Sequence, residues 1–230
     1  MEKFDGFSAA TFKFLRELKV NNNRDWFLEN KPRYRQDVVE PALVFVTDFG
    51  RRLNGVHSDI IYDTRTNGAG SLFRIYRDTR FSKDKTPYKT HLGVFFWLGI
   101  VPVKMANPGI YVHLDSEGAQ LHSGLYRFEP ERMKIYRDVL SGEKTAADLH
   151  KILAGLKKKG FVVQGEQYKR VPPGFDKTSD YADLARYKGL YVSAPSFKKN
   201  LVTTPKLLNE CMKYARQVAK FNNWFANNLF

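Results

Sequence analysis

The stretch HLGVFFWLGI (residues 91–100) decides the fold. It is apolar at most of its ten positions, which is typical of a buried strand. The segment YVHLD (111–115) and the preceding Ile110 follow, and here Ile110, Val112 and Leu114 alternate with polar or aromatic residues. Such a period of two predicts a strand with one buried face. The links between these segments are too short for helical crossovers, so we predict an antiparallel meander.

Helical patterns flank this meander on both sides. Ser8 can cap a helix that runs to about Lys19, and a longer apolar stripe follows Pro32. After the meander, helices are predicted over 129–140 and 146–158, and Pro205 opens a long final helix. We therefore predict an α+β fold with N-terminal helices, a central and mainly antiparallel sheet, and helices in the C-terminal half. A single compact domain over 1–230 is expected.

Composition excludes several classes of protein. The 230 residues include 18 Phe, 12 Tyr and 3 Trp, which a disordered chain would lack. Cys211 is the single cysteine, so a disulfide scaffold is excluded and a buried structural thiol is expected. The best apolar run is about half of the ~20 residues that span a bilayer. With no signal-peptide pattern at the start of the chain, we expect a cytoplasmic protein.

Positive charge is concentrated in the last third of the chain. The net charge is +14, and residues 151–230 carry 15 basic and 5 acidic side chains, a net of +10. A surface of this kind attracts polyanions such as nucleic acid or phosphorylated metabolites. It is equally explained as a lysine-rich surface that keeps the protein soluble, and no recognised nucleic-acid motif is present.

The densest polar stretch lies over 74–89, where six basic residues fall within sixteen positions. We predict a strand over 72–80, which would put Arg74, Asp78 and Arg80 on one face. Arginines in this spacing can bind phosphate or carboxylate, with Arg77, Lys85 and Tyr88 in support. The candidate ligand-binding residues are thus Arg74, Arg77, Arg80, Lys85 and Tyr88.

Two aspartates are interleaved with these cations. Asp78 and Asp84 are candidate catalytic carboxylates, or they hold the arginines in place. The competing interpretation of the whole stretch is a structural ion-pair network, because such networks also cluster charges.

The same stretch resembles a family of bacterial and fungal proteins, DUF2461. Its pattern is Arg-x-x-Arg-Asp-x-Arg-Phe-x-x-(Asp/Asn)-Lys-x-x-Tyr, and every fixed position is met. The matching residues are Arg74, Arg77, Asp78, Arg80, Phe81, Asp84, Lys85 and Tyr88. Segments near both ends of the chain are also similar to this family. The resemblance implies no established activity, but it favours a functional role for the stretch.

Histidines give a weaker signal. His113 lies between Tyr111 and Asp115 on one predicted strand face, and it is a candidate general base. His91 and His122 are nearby in the chain, but no metal-ligand spacing is present, so we predict no metal site. No nucleophile motif is present either, and no particular cofactor is indicated.

Three functions remain open from the sequence. The leading hypothesis is binding of, or action on, a phosphorylated or other anionic small molecule through the arginine-rich strand and loop. The second is nucleic-acid binding by the basic C-terminal third. The third is a non-catalytic interaction protein with an exposed aromatic patch that includes Trp224 and Phe225.

Overall fold

A computed structural model describes residues 3–173 and 175–230. Within these residues the chain forms a seven-stranded antiparallel sheet and a set of helices that pack on it. The strands are β1 (Ile60–Ile61), β2 (Leu92–Leu98), β3 (Gly109–Leu114), β4 (Gly118–Leu125), β5 (Val162–Glu166), β6 (Tyr187–Ser193) and β7 (Phe197–Lys198). The α-helices are α1 (Ala9–Val20), α2 (Arg24–Glu29), α3 (Lys31–Tyr34), α4 (Glu40–Leu53), α5 (Pro130–Leu140), α6 (Glu143–Lys158), α7 (Lys199–Val202) and α8 (Lys206–Leu229).

The predicted meander is confirmed as the middle of the sheet. Strand order is β1-β2-β3-β4-β6-β5, with β7 also paired to β4. Val94 lies opposite Val112, and Val112 lies opposite Leu121, so the apolar positions of β2, β3 and β4 share one face. β6, which lies far from β4 in the sequence, pairs with it antiparallel. This pairing places His122 opposite Ser193.

The first helix begins and ends within a residue of the prediction. Ser8 accepts a hydrogen bond from the backbone N–H of Thr11, which satisfies a free donor at the start of α1. Between α3 and α4 the helix passes through a π-helical turn at Arg35–Val39, and Pro41 follows in the first turn of α4. Proline has no N–H to donate to the carbonyl of Asp37, four residues earlier, and that carbonyl instead accepts a hydrogen bond from the Thr11 hydroxyl.

Apolar side chains from helices and strands form one continuous cluster. Phe45 and Phe49 of α4 pack their rings against Phe96 of β2, and α8 packs on β4. Trp224 and Phe225 of α8 are buried in this cluster. The predicted exposed aromatic patch at these residues is therefore wrong, because both continue the apolar stripe of the helix. Cys211 is buried in the same stripe, and burial raises the pKa of its thiol.

The predicted strand over 72–80 is also wrong. The segment is extended, but it makes only isolated bridges, from Leu72 to Val94 of β2 and from Tyr76 to Tyr88. Side-chain ion pairs, described below, take the place of a continuous backbone ladder here. No helix in the described part of the chain is long and apolar enough to cross a membrane.

Candidate functional site

Residues 74–89 fold back on themselves as a loosely paired hairpin, which we call the arginine hairpin. The backbone N–H of Arg77 donates to the carbonyl of Pro87 at 2.9 Å, and that of Lys89 donates to the carbonyl of Ile75 at 2.7 Å. Its base joins the sheet through residues 71–73 beside β2. The sequence motif thus forms a projection from the sheet edge instead of an integral strand.

The inner ion pair of this hairpin joins its two arms. Arg77 Nη1 donates to Asp84 Oδ2 at 2.5 Å and to the Thr86 carbonyl at 3.1 Å. The Thr86 backbone N–H donates to Asp84 Oδ1 at 2.9 Å. This backbone bond, together with the Arg77 bond, lowers the pKa of Asp84 to about 2. Arg77, Asp84 and Thr86 are therefore joined by hydrogen bonds that hold the return arm of the hairpin in place.

A second ion pair lies at the tip. Arg80 forms a two-pronged pair with Asp78, with nitrogen–oxygen distances of 2.9 and 2.7 Å, and both side chains are more than half exposed. The Arg80 hydrogen bond lowers the pKa of Asp78 to about 2. The Arg80 guanidinium also lies over the ring of Phe81, which is almost fully exposed. Arg80 is thus engaged with its own hairpin.

The remaining motif residues also make contacts inside the fold. Lys85 Nζ donates to the carbonyl of Thr79 at 2.9 Å. The ring of Tyr88 is buried and stacks on Phe27 with ring centroids 4.1 Å apart. Asn22 pairs with the backbone of Tyr88 in both directions, at 2.9 and 3.0 Å, as a neighbouring strand would. These contacts attach the hairpin to the N-terminal helices.

We expect Arg77→Met to loosen the hairpin while the rest of the fold stays intact. The variant removes the charged donor that joins Asp84 to the Thr86 carbonyl on the return arm of the hairpin. Amide exchange over residues 77–89 should rise about tenfold or more in hydrogen-exchange mass spectrometry. The matched control is Arg80→Met, whose exposed pair contributes little. Equal effects of the two variants would contradict the assigned role of Arg77.

Arg74 lies at the opposite end of the hairpin and has different neighbours. Lys89 Nζ donates to the Arg74 carbonyl at 2.8 Å, and the Arg74 side chain runs alongside Gly68. Lys104, from the loop between β2 and β3, donates to the carbonyls of Gly68 and Gly70 at 3.2 and 2.7 Å. Arg74 of the hairpin and Lys104 of the β2–β3 loop therefore meet at one glycine-containing loop, and Lys89 is bonded to the backbone of Arg74.

Two of these cations, Lys89 and Lys104, lie over the ring of Phe73. The ammonium groups of Lys104 and Lys89 lie 4.6 and 5.7 Å from its centroid. Partial burial lowers the pKa of both lysines, and the Arg74 charge adds to the effect at Lys89. We call Arg74, Lys89 and Lys104 the cationic rim. The rim borders a cavity, because the Phe73 ring continues edge-to-face onto Tyr111, with centroids 5.9 Å apart.

The cavity lies on the sheet, next to this rim, and has a volume of about 330 Å³. Strands β2 to β6 and the β2–β3 loop supply its lining. The lining residues are Phe73, Phe95, Met105, Asn107, Gly109, Tyr111, His122, Ser123, Gly124, Tyr126, Gln164 and Tyr191. A mainly apolar and aromatic wall with a few polar groups is typical of small-molecule sites.

Histidines lie along the same sheet face. His91 and His113 have ring centroids 4.3 Å apart, and His122 lies 5.8 Å from Tyr111. His122 Nδ1 is 2.7 Å from Ser193 Oγ, the residue opposite it on β6. Burial, with a smaller contribution from His113, lowers the pKa of His122 to about 4, and burial also lowers that of His91 to about 4. Both imidazoles are therefore neutral near pH 7.

His113, the predicted general base, contacts His91 and Asp115, and its Nε2 lies 3.6 Å from Asp115 Oδ2. Neither partner belongs to the arginine hairpin, where Asp78 and Asp84 lie. His113 does not line the sheet cavity, but its ring centroid is 6.5 Å from that of His122, which does. Among the described residues, no group of three or more His, Cys, Asp or Glu side chains is arranged to hold a metal ion.

Several residues of this region carry no signal in the sequence. Lys104 and Phe73 come together only because the β2–β3 loop folds back over the sheet edge. Tyr191 reaches the cavity through the pairing of β6 with β4, which spans about 70 residues of chain. The alternation of Tyr111 and His113 on β3, with His122 on β4, is the one pattern that points to this face.

No curated protein matches the chain. The family described as "Conserved hypothetical protein (DUF2461)" matches residues 10–224 of the 230. This range includes the arginine hairpin, the cationic rim and all seven strands of the sheet. This match confirms the resemblance carried by residues 74–88, and the chain belongs to the DUF2461 family.

Proposed function

We propose that this protein binds a planar small molecule with an anionic group in the cavity on its sheet. The observation that carries the proposal is the position of Lys104 and Lys89 against Phe73, at the edge of an aromatic cavity of about 330 Å³. The ligand's planar part would lie in the cavity, and its phosphate or carboxylate would meet the cationic rim.

The aromatic walls favour a planar ligand. Phe95, Tyr111, Tyr126 and Tyr191 line the cavity, and the last two rings lie 5.5 Å apart. Flat rings gain both apolar burial and favourable ring–ring geometry against such walls. A ligand without a flat apolar part would leave these rings in contact with water.

The cationic rim favours a negative charge. Arg74, Lys89 and Lys104 are brought together by hydrogen bonds to backbone carbonyls, and none of these bonds neutralises their charge. An anion near partly buried cations interacts more strongly than it would in bulk water, because screening is weaker there. Asp63 partly offsets the charge of Lys104, whereas Arg77 and Arg80 are each directly ion-paired with a carboxylate.

Polar groups on the floor can orient the ligand. Burial raises the pKa of Tyr111 to about 12, so its hydroxyl is a hydrogen-bond donor at neutral pH. His122 is neutral, and because Ser193 engages its Nδ1, the other ring nitrogen is left to face a ligand. In this proposal Asp78 and Asp84 orient Arg80 and Arg77, and the arginine hairpin supports Arg74 and Lys89 at the rim.

A thermal-shift panel tests the proposal. It contains nucleoside monophosphates, aromatic carboxylates, sugar phosphates and inorganic phosphate. At a hundred times its Kd a ligand adds about 2.7 kcal/mol of stability, which is about 5–10 °C in Tm for a chain of this size. We expect such a shift for a planar anion with the wild type, and most of it should be lost in Lys104→Met and in Phe73→Leu.

Arg80→Ala is the matched control, since it removes a cation of the same motif that lies outside the rim. It should keep the full ligand-induced shift. If Arg80→Ala abolished the shift while Lys104→Met retained it, the anion would bind at the hairpin tip and the proposal would be wrong. Equal shifts with sugar phosphates and planar anions would remove the aromatic part of the proposal.

A further inference from the structure

A second and larger concavity lies between α6 and α8, and it shares no lining residue with the sheet cavity. Its volume is about 560 Å³. The lining residues are Asp148, Lys151, Ile152, Gly155, Leu156, Lys159, Gln217, Lys220, Asn223, Trp224, Asn227 and Asn228. On α6 these residues run from 148 to 159, so the groove is about 16 Å long at 1.5 Å per residue. An elongated groove of this length accommodates a stretch of polypeptide better than a compact metabolite.

The groove is positively charged. Lys151, Lys159 and Lys220 line it, and Asp148 is the one acidic residue in the lining. It lies in the part of the chain that carries the net charge of +10. Ile152 and Leu156 add an apolar strip between the lysines. The groove thus complements a segment that carries both acidic and apolar side chains.

Gly155 leaves open space at the middle of the groove. It lies inside α6, where glycine is destabilising relative to alanine. A Cβ placed there would meet no described atom within 4 Å, so packing within the fold does not require a glycine at this position. The missing side chain instead allows another backbone to approach the helix closely, as small residues do at helix contacts.

Gln217 adds an unused hydrogen-bond acceptor. Its Oε1 is buried, and it has no hydrogen-bond partner among the residues that the structure describes. A buried acceptor without a donor is costly, so a turn of this side chain toward an N–H group in the groove would be favourable. A peptide supplies N–H donors together with its carboxylates, whereas a bare phosphate supplies none.

We propose that the α6–α8 groove binds an acidic peptide segment of a partner protein. The segment's backbone approaches α6 at Gly155, its carboxylates pair with Lys151, Lys159 and Lys220, and one of its N–H groups reaches Gln217. Nucleic acid is the alternative occupant of a basic groove, and the experiment separates the two.

Selection from a random 12-residue peptide display library against the full chain, at 150 mM salt, tests the proposal. Selected peptides should be enriched in Asp and Glu. Their affinity should fall at least tenfold in the triple variant Lys151→Glu, Lys159→Glu, Lys220→Glu. The triple variant Lys19→Glu, Lys31→Glu, Lys206→Glu carries the same change in net charge at exposed positions outside the groove, and it should bind nearly as the wild type does.

Gly155→Leu tests the close approach without changing the charge, and it should also weaken binding at least tenfold. Gly155→Ala adds only one methyl group and should raise the Tm by a few degrees, so it shows that the site tolerates a side chain in the folded protein. Selected peptides without acidic enrichment, or peptides that bind Gly155→Leu as tightly as the wild type, would overturn the proposal. Oligothymidine that binds more tightly than the selected peptides, and loses this binding in Gly155→Leu, would assign the groove to nucleic acid instead.

Discussion

Asn222→Asp is expected to destabilise the protein by about 4–5.5 kcal/mol at pH 8, the largest effect that we predict. Asn222 lies on α8, is fully buried, and accepts a hydrogen bond from Ser123 in β4, with an oxygen–oxygen distance of 3.0 Å. A carboxylate of the same shape would be charged in a site with no cation among these contacts. Fully buried acids have a pKa raised by about 3–5 units, and each unit corresponds to about 1.36 kcal/mol.

The loss of folding stability in Asn222→Asp should increase as the pH rises. A carboxyl group whose pKa is raised in the folded state binds more protons folded than unfolded, so stability falls as pH rises. The penalty is absent below the unfolded value of about 3.9 and complete above the raised folded value. Urea unfolding at pH 4.5 and pH 8 measures the difference.

Asn223→Asp is the matched control, because Asn223 is the next residue of the same helix and is exposed. It should change the free energy of unfolding by less than about 0.5 kcal/mol at either pH. If the two variants unfold alike at pH 8, water reaches Asn222 and the contact between α8 and β4 is looser than described.

Asn107→Ala is expected to cost about 2–4 kcal/mol and to weaken ligand binding at the same time. The buried side chain of Asn107 holds the β2–β3 loop through four short hydrogen bonds. Its Oδ1 accepts from the N–H groups of Ile100 and Val101, and its Nδ2 donates to the carbonyls of Val101 and Val103, all at 2.8–2.9 Å. Each such bond contributes about 0.5–1.5 kcal/mol. Lys104 follows directly in this loop, so the cationic rim loses a fixed member.

Urea unfolding and a thermal-shift titration with the ligand from the panel measure the two effects. Asn67→Ala is the control, because Asn67 makes one exposed hydrogen bond, to the N–H of Ala69 at 3.1 Å. It should cost less than about 1 kcal/mol. An Asn107→Ala protein that is as stable as this control would show that the loop does not depend on Asn107.

The middle of the sheet could be predicted because its pattern and its connections agree. Val112 and Leu114 alternate with Tyr111 and His113, and the turn to β4 is short, so neighbouring strands must be antiparallel. The ends of the helices could be predicted for a similar reason, since caps such as Ser8 act within a few residues. The meander strands and the helix ends both depend on interactions between residues that are close in the sequence.

The arginine hairpin could not be predicted in the same way. Residues 72–80 have the alternation of a strand, but Arg77 finds Asp84 and Thr86, and Lys89 finds the Arg74 carbonyl. Side-chain bonds across a loop compete with a regular ladder, and alternation alone does not reveal their partners. Of the two interpretations made from the sequence, these contacts favour the ion-pair network for Arg77 and Arg80, whereas Arg74 remains with the proposed site.

The cavity depends on the register of distant strands. Tyr111 and His122 could be placed on one face from their spacing, but Tyr191 and Ser193 join them only when β6 pairs with β4. A shift of one residue in that pairing would turn both side chains to the other face. No local pattern in the sequence specifies this register.

That long-range pairing also bears on the order in which the chain folds. The meander of β2, β3 and β4 closes short turns, whereas the contact between His122 and Ser193 closes a loop of 71 residues. Loop-closure entropy costs about 0.6 kcal/mol more for each doubling of length, so we expect the meander to form before β6 docks on it. We therefore expect the floor of the proposed site, to which Tyr191 of β6 contributes, to be completed late in folding.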